Sequence, residues 1–119
     1  MTFQAEARTT EGVADTREIR IRGRVTFDEA PELRKAILGE VERTEARRLI
    51  LELGGIDNMD TSGAAVLAEA LRAGENKGMR VLLCSPSESV IRIFRLAGFV
   101  DVLDHCCAGW EETRRRLTE

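Results

Sequence analysis

Two nearly unbroken apolar runs flank one amphipathic stretch in the middle of this chain, and few folds accommodate that arrangement. Leu49-Ile50-Leu51-Glu52-Leu53 and the run from Met79 to Cys84 read as strands covered on both faces. Between them, Val66, Leu67, Ala70 and Leu71 recur at helical spacing, which predicts a helix over Ala64–Asn76 with Gly74 and Gly78 marking its end. Strand, helix and strand in that order predict two neighbouring parallel strands joined by a right-handed crossover.

The flanking sequence adds an antiparallel part. Phe3, Ala5 and Ala7 alternate with polar residues and predict a first strand, followed by a Thr-, Gly- and Asp-rich turn from Thr9 to Thr16. Ile19, Ile21 and Val25 then alternate with Glu18, Arg20, Arg22 and Arg24, as in a half-buried strand with a wet basic face that pairs with the first. Asp28 as N-cap and Pro31 in the first turn open a helix carried by Ala30, Leu33, Ile37 and Val41 to about Arg43.

After the second apolar run, Ser85-Pro86-Ser87-Glu88 reads as N-cap, N1 and the N3 glutamate of a capping box. Val90, Ile91, Phe94 and Ala97 form the apolar face of that helix, and Gly98 suits its left-handed end. Val100, Val102 and Leu103 predict a short edge strand. Trp110, Arg114 and Leu117 line one side of a last helix, with Trp110 as a packing anchor. Together these elements predict an α/β fold in a single domain over residues 1–119. Its mixed, mostly parallel sheet has four to five strands, at least partly covered by four to five helices.

Composition excludes several functions. The net charge of −3 and the absence of a basic block beyond Arg114-Arg115-Arg116 argue against a nucleic-acid partner; such a cluster complements the dipole of a C-terminal helix. No apolar stretch approaches the roughly 20 residues that span a bilayer, and no signal peptide opens the chain, so the expected location is the cytoplasm with no membrane insertion. Cys84, Cys106 and Cys107 make no disulfide framework, and Cys84 reads as a small buried hydrophobe. His105, Cys106 and Cys107 are adjacent and do not readily converge on one ion without a ligand from elsewhere, so no metal is expected. With no Gly-x-Ser-x-Gly elbow, no Walker-type loop and no identified partner for the lone histidine, the chain does not read as an enzyme.

The candidate site lies between the first apolar run and the central helix, at Asp57-Asn58-Met59-Asp60-Thr61-Ser62-Gly63. Asp, Thr and Ser are ordinary helix N-caps, and capping is one complete reading of this stretch. The other is functional. The first N–H groups of a helix lack intrahelical partners and the dipole favours negative charge, so Ser62 is placed where a phosphate costs the fold little.

Met59-Asp60-Thr61-Ser62-Gly63 resembles the signature loop of STAS domains, the anti-sigma factor antagonist family, in which an apolar residue is followed by Asp, Ser or Thr, Ser or Ala, and Gly. The resemblance runs from about residue 18 to residue 104. Gly23-Arg24-Val25-Thr26 occupies the family's Gly-Glu-Leu-Asp turn, and Ala30-Pro31-Glu32-Leu33 matches the start of the following helix. Leu49–Leu53 matches the strand before the loop, and Arg95-Leu96-Ala97-Gly98-Phe99 the late apolar-x-Gly-apolar segment. The resemblance implies a single STAS-like domain without cofactor or catalytic residues. It also implies that Ser62 is phosphorylated by an anti-sigma factor that is itself a serine kinase, an ATPase of the histidine-kinase-like type. Unphosphorylated antagonist binds that partner and releases the sigma factor, and phosphorylation breaks the complex. The implied binding residues are Asp57, Asn58, Met59, Asp60, Thr61, Ser62 and Gly63, with Arg24 and Thr26 on the neighbouring turn. There the surface is less acidic than is usual in the family. A second branch of the family accompanies ABC-type phospholipid transport systems, with a loop that often reads Asp-Thr-Ala-Gly and is not phosphorylated. Thr61 matches that branch and Ser62 the first, so the permease and ATPase subunits of such a system are the alternative partners.

Overall fold

The apolar alternation in β1 (Phe3–Thr9) and β2 (Thr16–Val25) zips them into an antiparallel pair, with Phe3 opposite Gly23 and Thr9 opposite Arg17. The structure is a computed structural model that describes residues 3–118. β2 runs parallel to β3 (Arg48–Met59), β3 to β4 (Arg80–Cys84) and β4 to the two-residue edge strand β5 (Cys106–Cys107). The result is a five-stranded mixed sheet in the order β1-β2-β3-β4-β5.

Because the parallel strands follow one another in sequence order, right-handed crossovers send their connecting helices to one face of the sheet. α1 (Ala30–Arg43) joins β2 to β3, and α2 (Thr61–Asn76) joins β3 to β4. α3 (Glu88–Leu96) and the single turn α4 (Val100–Leu103) join β4 to β5. Their apolar faces, through Leu33, Ile37, Val41, Leu67, Leu71, Val90, Phe94 and Val102, bury Leu49, Leu51 and Leu53 of the central strand. Val66, Leu67, Ala70 and Leu71 are all buried, as their spacing predicts. Leu51→Ala should therefore cost about 2–5 kcal/mol of stability in urea denaturation, and a loss below about 0.5 kcal/mol would remove β3 from the core. On the opposite face α5 (Trp110–Leu117) packs Leu117 on Ile50, Leu82, Cys84 and Cys107, with Val13 of the β1–β2 turn against the same cluster.

Several local expectations are corrected. β3 does not stop at Leu53 but continues through Gly54-Gly55 to Met59, because its ladder with β2 continues past a register shift. Glu29, not Asp28, occupies the N-cap position of α1, without a side-chain cap, while Pro31 does lie in the first turn. Ser85 takes a left-handed φ of 59°, its N–H still bonded to the Cys107 carbonyl, so the capping role passes to Ser87, whose hydroxyl accepts from the Val90 N–H. Val100–Leu103 is helical, and the edge strand begins three residues after its end, at Cys106–Cys107. Gly74 is internal to α2, pressed against the Val81 side chain, and Gly78 with φ 82° follows the end. Gly98, at φ 81°, turns the chain after α3 as expected. Trp110 is 41% exposed, so Thr113 and Leu117, rather than Trp110 and Arg114, anchor α5. Glu18, expected on the wet face of β2, is 4% exposed and held by Arg8 and Arg20.

Candidate functional site

The chain leaves β3 at Met59 and enters α2 at Thr61, so Asp60 alone makes the turn. Its extended backbone and short carboxylate suit an N-cap. Oδ1 accepts from the N–H groups of Ser62 at 2.9 Å and Gly63 at 3.1 Å, while Oδ2 accepts from the Phe27 N–H at 2.9 Å. One carboxylate thus fastens the start of α2 to the β2–α1 turn, 33 residues earlier in the chain. Asp60→Ala should cost about 2 kcal/mol, combining a lost N-cap with a lost charge-assisted bond. Urea denaturation checks this, and a loss under about 0.5 kcal/mol would deny Asp60 that role.

The backbone allows only glycine at position 63. A Cβ there would run into the Val25 carbonyl oxygen and come within 3.0 Å of Met59 Cγ. This close approach lets the first turn of α2 sit directly on the ends of β2 and β3, which pair there as Arg24 with Asn58 and Val25 with Met59.

Thr61 is N1 and Ser62 N2 of a 16-residue helix. Ser62 is half-buried and Thr61 exposed, and among the described residues neither hydroxyl has a hydrogen-bond partner. Asp57 and Asn58 end β3 with exposed side chains, whereas Met59 is buried beneath the loop. The strand, not a loop, carries these three residues.

The adjoining turn is knotted by its own residues. Thr26, 8% exposed, donates from both its N–H (2.9 Å) and its hydroxyl (2.6 Å) to Glu29 Oε1. Arg24 Nε donates to the Thr26 hydroxyl at 3.1 Å and lies 3.5 Å from Glu29 Oε1, leaving much of its side chain exposed. Thr26 therefore serves the turn, while Arg24 also faces outward, 3.9 Å from Asp28. The structure brings all nine sequence-derived residues into one patch at the carboxyl ends of β2 and β3.

Sequence reasoning missed Phe27. It is 73% exposed beside Asp60, a large apolar side chain presented to solvent at the edge of the patch. The signal was an aromatic between two polar residues in a short turn, outside the apolar periods of both β2 and α1. Among the described residues, no helix is long and apolar enough to cross a membrane.

A model of the STAS domain matches residues 4–113, and the chain belongs to that family. Its fold is similar to that of the anti-sigma factor antagonist SpoIIAA in its unphosphorylated form, with 23% identity and a TM-score of 0.72. That match covers 98% of this chain and 96% of the other. The Bacillus cell fate determinant SpoIIAA in its phosphorylated form matches at 20% identity and TM-score 0.67, covering 98% and 99%. A sulfate transporter family protein from Wolinella succinogenes matches at 20% identity and TM-score 0.68, covering 84% and 82%. At these identities the likeness to each solved structure is one of fold.

Proposed function

We propose that this STAS domain is a phosphorylation-switched protein-binding module, an anti-sigma factor antagonist rather than an enzyme. Its unphosphorylated Ser62 surface binds an anti-sigma factor that is also a serine kinase of the histidine-kinase-like ATPase type, in the cytoplasm. The observation that supports this best is the Ser62 hydroxyl itself. It stands at N2 of α2 without a hydrogen-bond partner among the described residues, on a turn that Asp60 and Gly63 lock in place. A hydroxyl that holds no structure together can be esterified without dismantling any. SpoIIAA, which shares the fold, exists in both phosphorylated and unphosphorylated forms. Phosphosite mapping of the protein from its native cells tests the assignment. Phosphate on Ser62 is expected, and phosphate confined to the more exposed Thr61, or none under any growth condition, overturns it.

The partner surface then comprises Ser62, Thr61, Asp57, Asn58 and the outward part of Arg24, with Phe27 as its apolar anchor. A large aromatic side chain that is exposed in the free protein and buried by a partner carries a disproportionate share of binding energy, commonly about 2 kcal/mol or more. Phe27→Ala should weaken the partner complex about thirtyfold while leaving the melting temperature within about 2 °C, because the ring is exposed. Titration with the kinase and a melting curve read both quantities, and an unchanged affinity would take Phe27 out of the interface.

One alternative is an accessory domain that contacts the permease and ATPase subunits of an ABC-type phospholipid system without phosphorylation, a reading supported by Thr61, which matches the loop of that branch. Genes for a permease and its ATPase beside this one would favour that reading, and genes for a kinase-type ATPase and a sigma factor the first.

A further inference from the structure

The sheet separates the two adjacent cysteines. Successive side chains of a strand point to opposite faces. Cys107 joins Ile50, Leu82, Cys84 and Leu117 beneath α5, while Cys106 packs against the helical core on the other side, its thiol 3.6 Å from the Val102 carbonyl oxygen. The parallel register pairs Cys84 with Cys107 and Leu83 with Cys106. Cys84 and Cys107 are therefore direct neighbours on one face, both free thiols. Neighbouring strands lie about 4.8 Å apart, within the roughly 4.4–6.8 Å between Cα atoms that a disulfide spans. Cys106 faces away from both.

We propose that Cys84 and Cys107 form an oxidisable pair, closed to an intramolecular disulfide across β4 and β5 by a peroxide-class oxidant, with Cys106 remaining a thiol. Two further features support the assignment. Arg116, held by the carbonyls of Cys106 (2.9 Å) and Asp104 (2.6 Å), donates from Nη1 to Cys107 Sγ at 3.5 Å and so fixes where that sulfur sits beside β4. Cys84 lines a cavity of about 460 Å³, together with Ile50, Glu52, Ser85 and Trp110, large enough for a water-sized oxidant. Burial pushes the Cys106 thiol up to about 11, so it stays protonated at neutral pH.

The chemistry balances. The Cys84 sulfur attacks one peroxide oxygen, the O–O bond breaks, and the departing oxygen leaves as water, giving a sulfenic acid. The Cys107 sulfur attacks that sulfur, forming S–S and breaking S–O, and the proton lost from the Cys107 thiol joins the departing hydroxide as water. Two thiols lose two electrons and hydrogen peroxide becomes two waters. The bond would clasp the two-residue edge strand β5, and α5 behind it, to β4. It involves none of the residues around Ser62 and stands apart from the proposed binding function. Within cells, bonds of this kind are transient and redox-sensing rather than structural.

The test uses the reduced, full-length, folded protein. After treatment with hydrogen peroxide, the remaining thiols are alkylated under denaturing conditions and the peptides are mapped by mass spectrometry. A monomer lighter by two hydrogens, alkylated only at Cys106 and carrying a Cys84–Cys107 cross-linked peptide that dithiothreitol reverses, is the expected result. Cys106→Ser should still close the bond. A bridge that includes Cys106, a bridge only between molecules, or overoxidation of Cys84 without any bridge would overturn the proposal. The wild-type peptide map is decisive whether or not Cys107→Ser folds.

Discussion

Gly63→Ala should destabilise the protein by about 3 kcal/mol or more, although alanine is the better helix former by about 1 kcal/mol. The two effects oppose each other, and the steric one wins. The new methyl would meet the Val25 carbonyl oxygen, a backbone atom fixed in the β2–β3 ladder that cannot rotate away as a side chain would. Relief requires the first turn of α2 to lift off the sheet. That lift would strain the Asp60 bonds to Ser62, Gly63 and Phe27 and uncover Met59. For a domain with total stability of about 5–15 kcal/mol, such a loss is a large fraction. Urea denaturation measures it, and a loss below about 1 kcal/mol would show that the helix start is looser than the packing implies.

Phosphorylation of Ser62 should have the largest effect on binding, weakening the partner complex about a hundredfold or more. Folding should hardly notice it. A phosphate adds about −1.5 to −2 charges at a helix N-terminus whose dipole offers roughly 0.3–1 kcal/mol in its favour. Asp60 already occupies that N-terminus, accepting the N–H groups of Ser62 and Gly63, so the dianion meets a resident carboxylate that offsets the dipole. The two contributions are of similar size and nearly cancel. The melting temperature should accordingly move by only a few degrees, at about 1 kcal/mol per 4–8 °C for a domain near this size. At an interface the balance differs. Desolvating a dianion against a surface that fits a neutral hydroxyl costs several kcal/mol, and each 1.4 kcal/mol is tenfold in affinity. Phosphorylated Ser62 is thus expected to leave the fold intact and empty the complex. A fall in melting temperature beyond about 10 °C would mean that the switch acts by unfolding α2 instead.

The β3–α2–β4 unit was legible because its signals are local. Leu49–Leu53 and the run to Cys84 carry their apolar character within a few residues, and Val66, Leu67, Ala70 and Leu71 declare a helical face without reference to the rest of the chain. Features set by distant partners were not. Gly54-Gly55 interrupts the apolar run, yet β3 continues because Arg22, Gly23 and Arg24 of β2 still pair with it, and Arg22 packs over Gly55. Ser85 carries every local mark of an N-cap, but its bond to the Cys107 carbonyl keeps it with the sheet and moves the cap to Ser87. Val100 and Val102 alternate like a strand, whereas one helical turn buries Val102 and leaves Val100 exposed. At the site, the capping power of Asp60 was readable from its residue type. Its reach to the Phe27 N–H, which ties the turn carrying that exposed ring to the start of α2, arises only when β2 and β3 come together.

Calorimetric titration of the cognate anti-sigma factor kinase with the unphosphorylated protein, the Ser62-phosphorylated protein and Ser62→Ala tests the switch most directly. The unphosphorylated protein and Ser62→Ala should bind alike, and only the former should lose binding on incubation with kinase and ATP. The phosphorylated form should bind about a hundredfold more weakly or not at all. Equal affinities for the phosphorylated and unphosphorylated forms would contradict a phosphorylation switch at Ser62 and leave the constitutive transporter-accessory reading ahead.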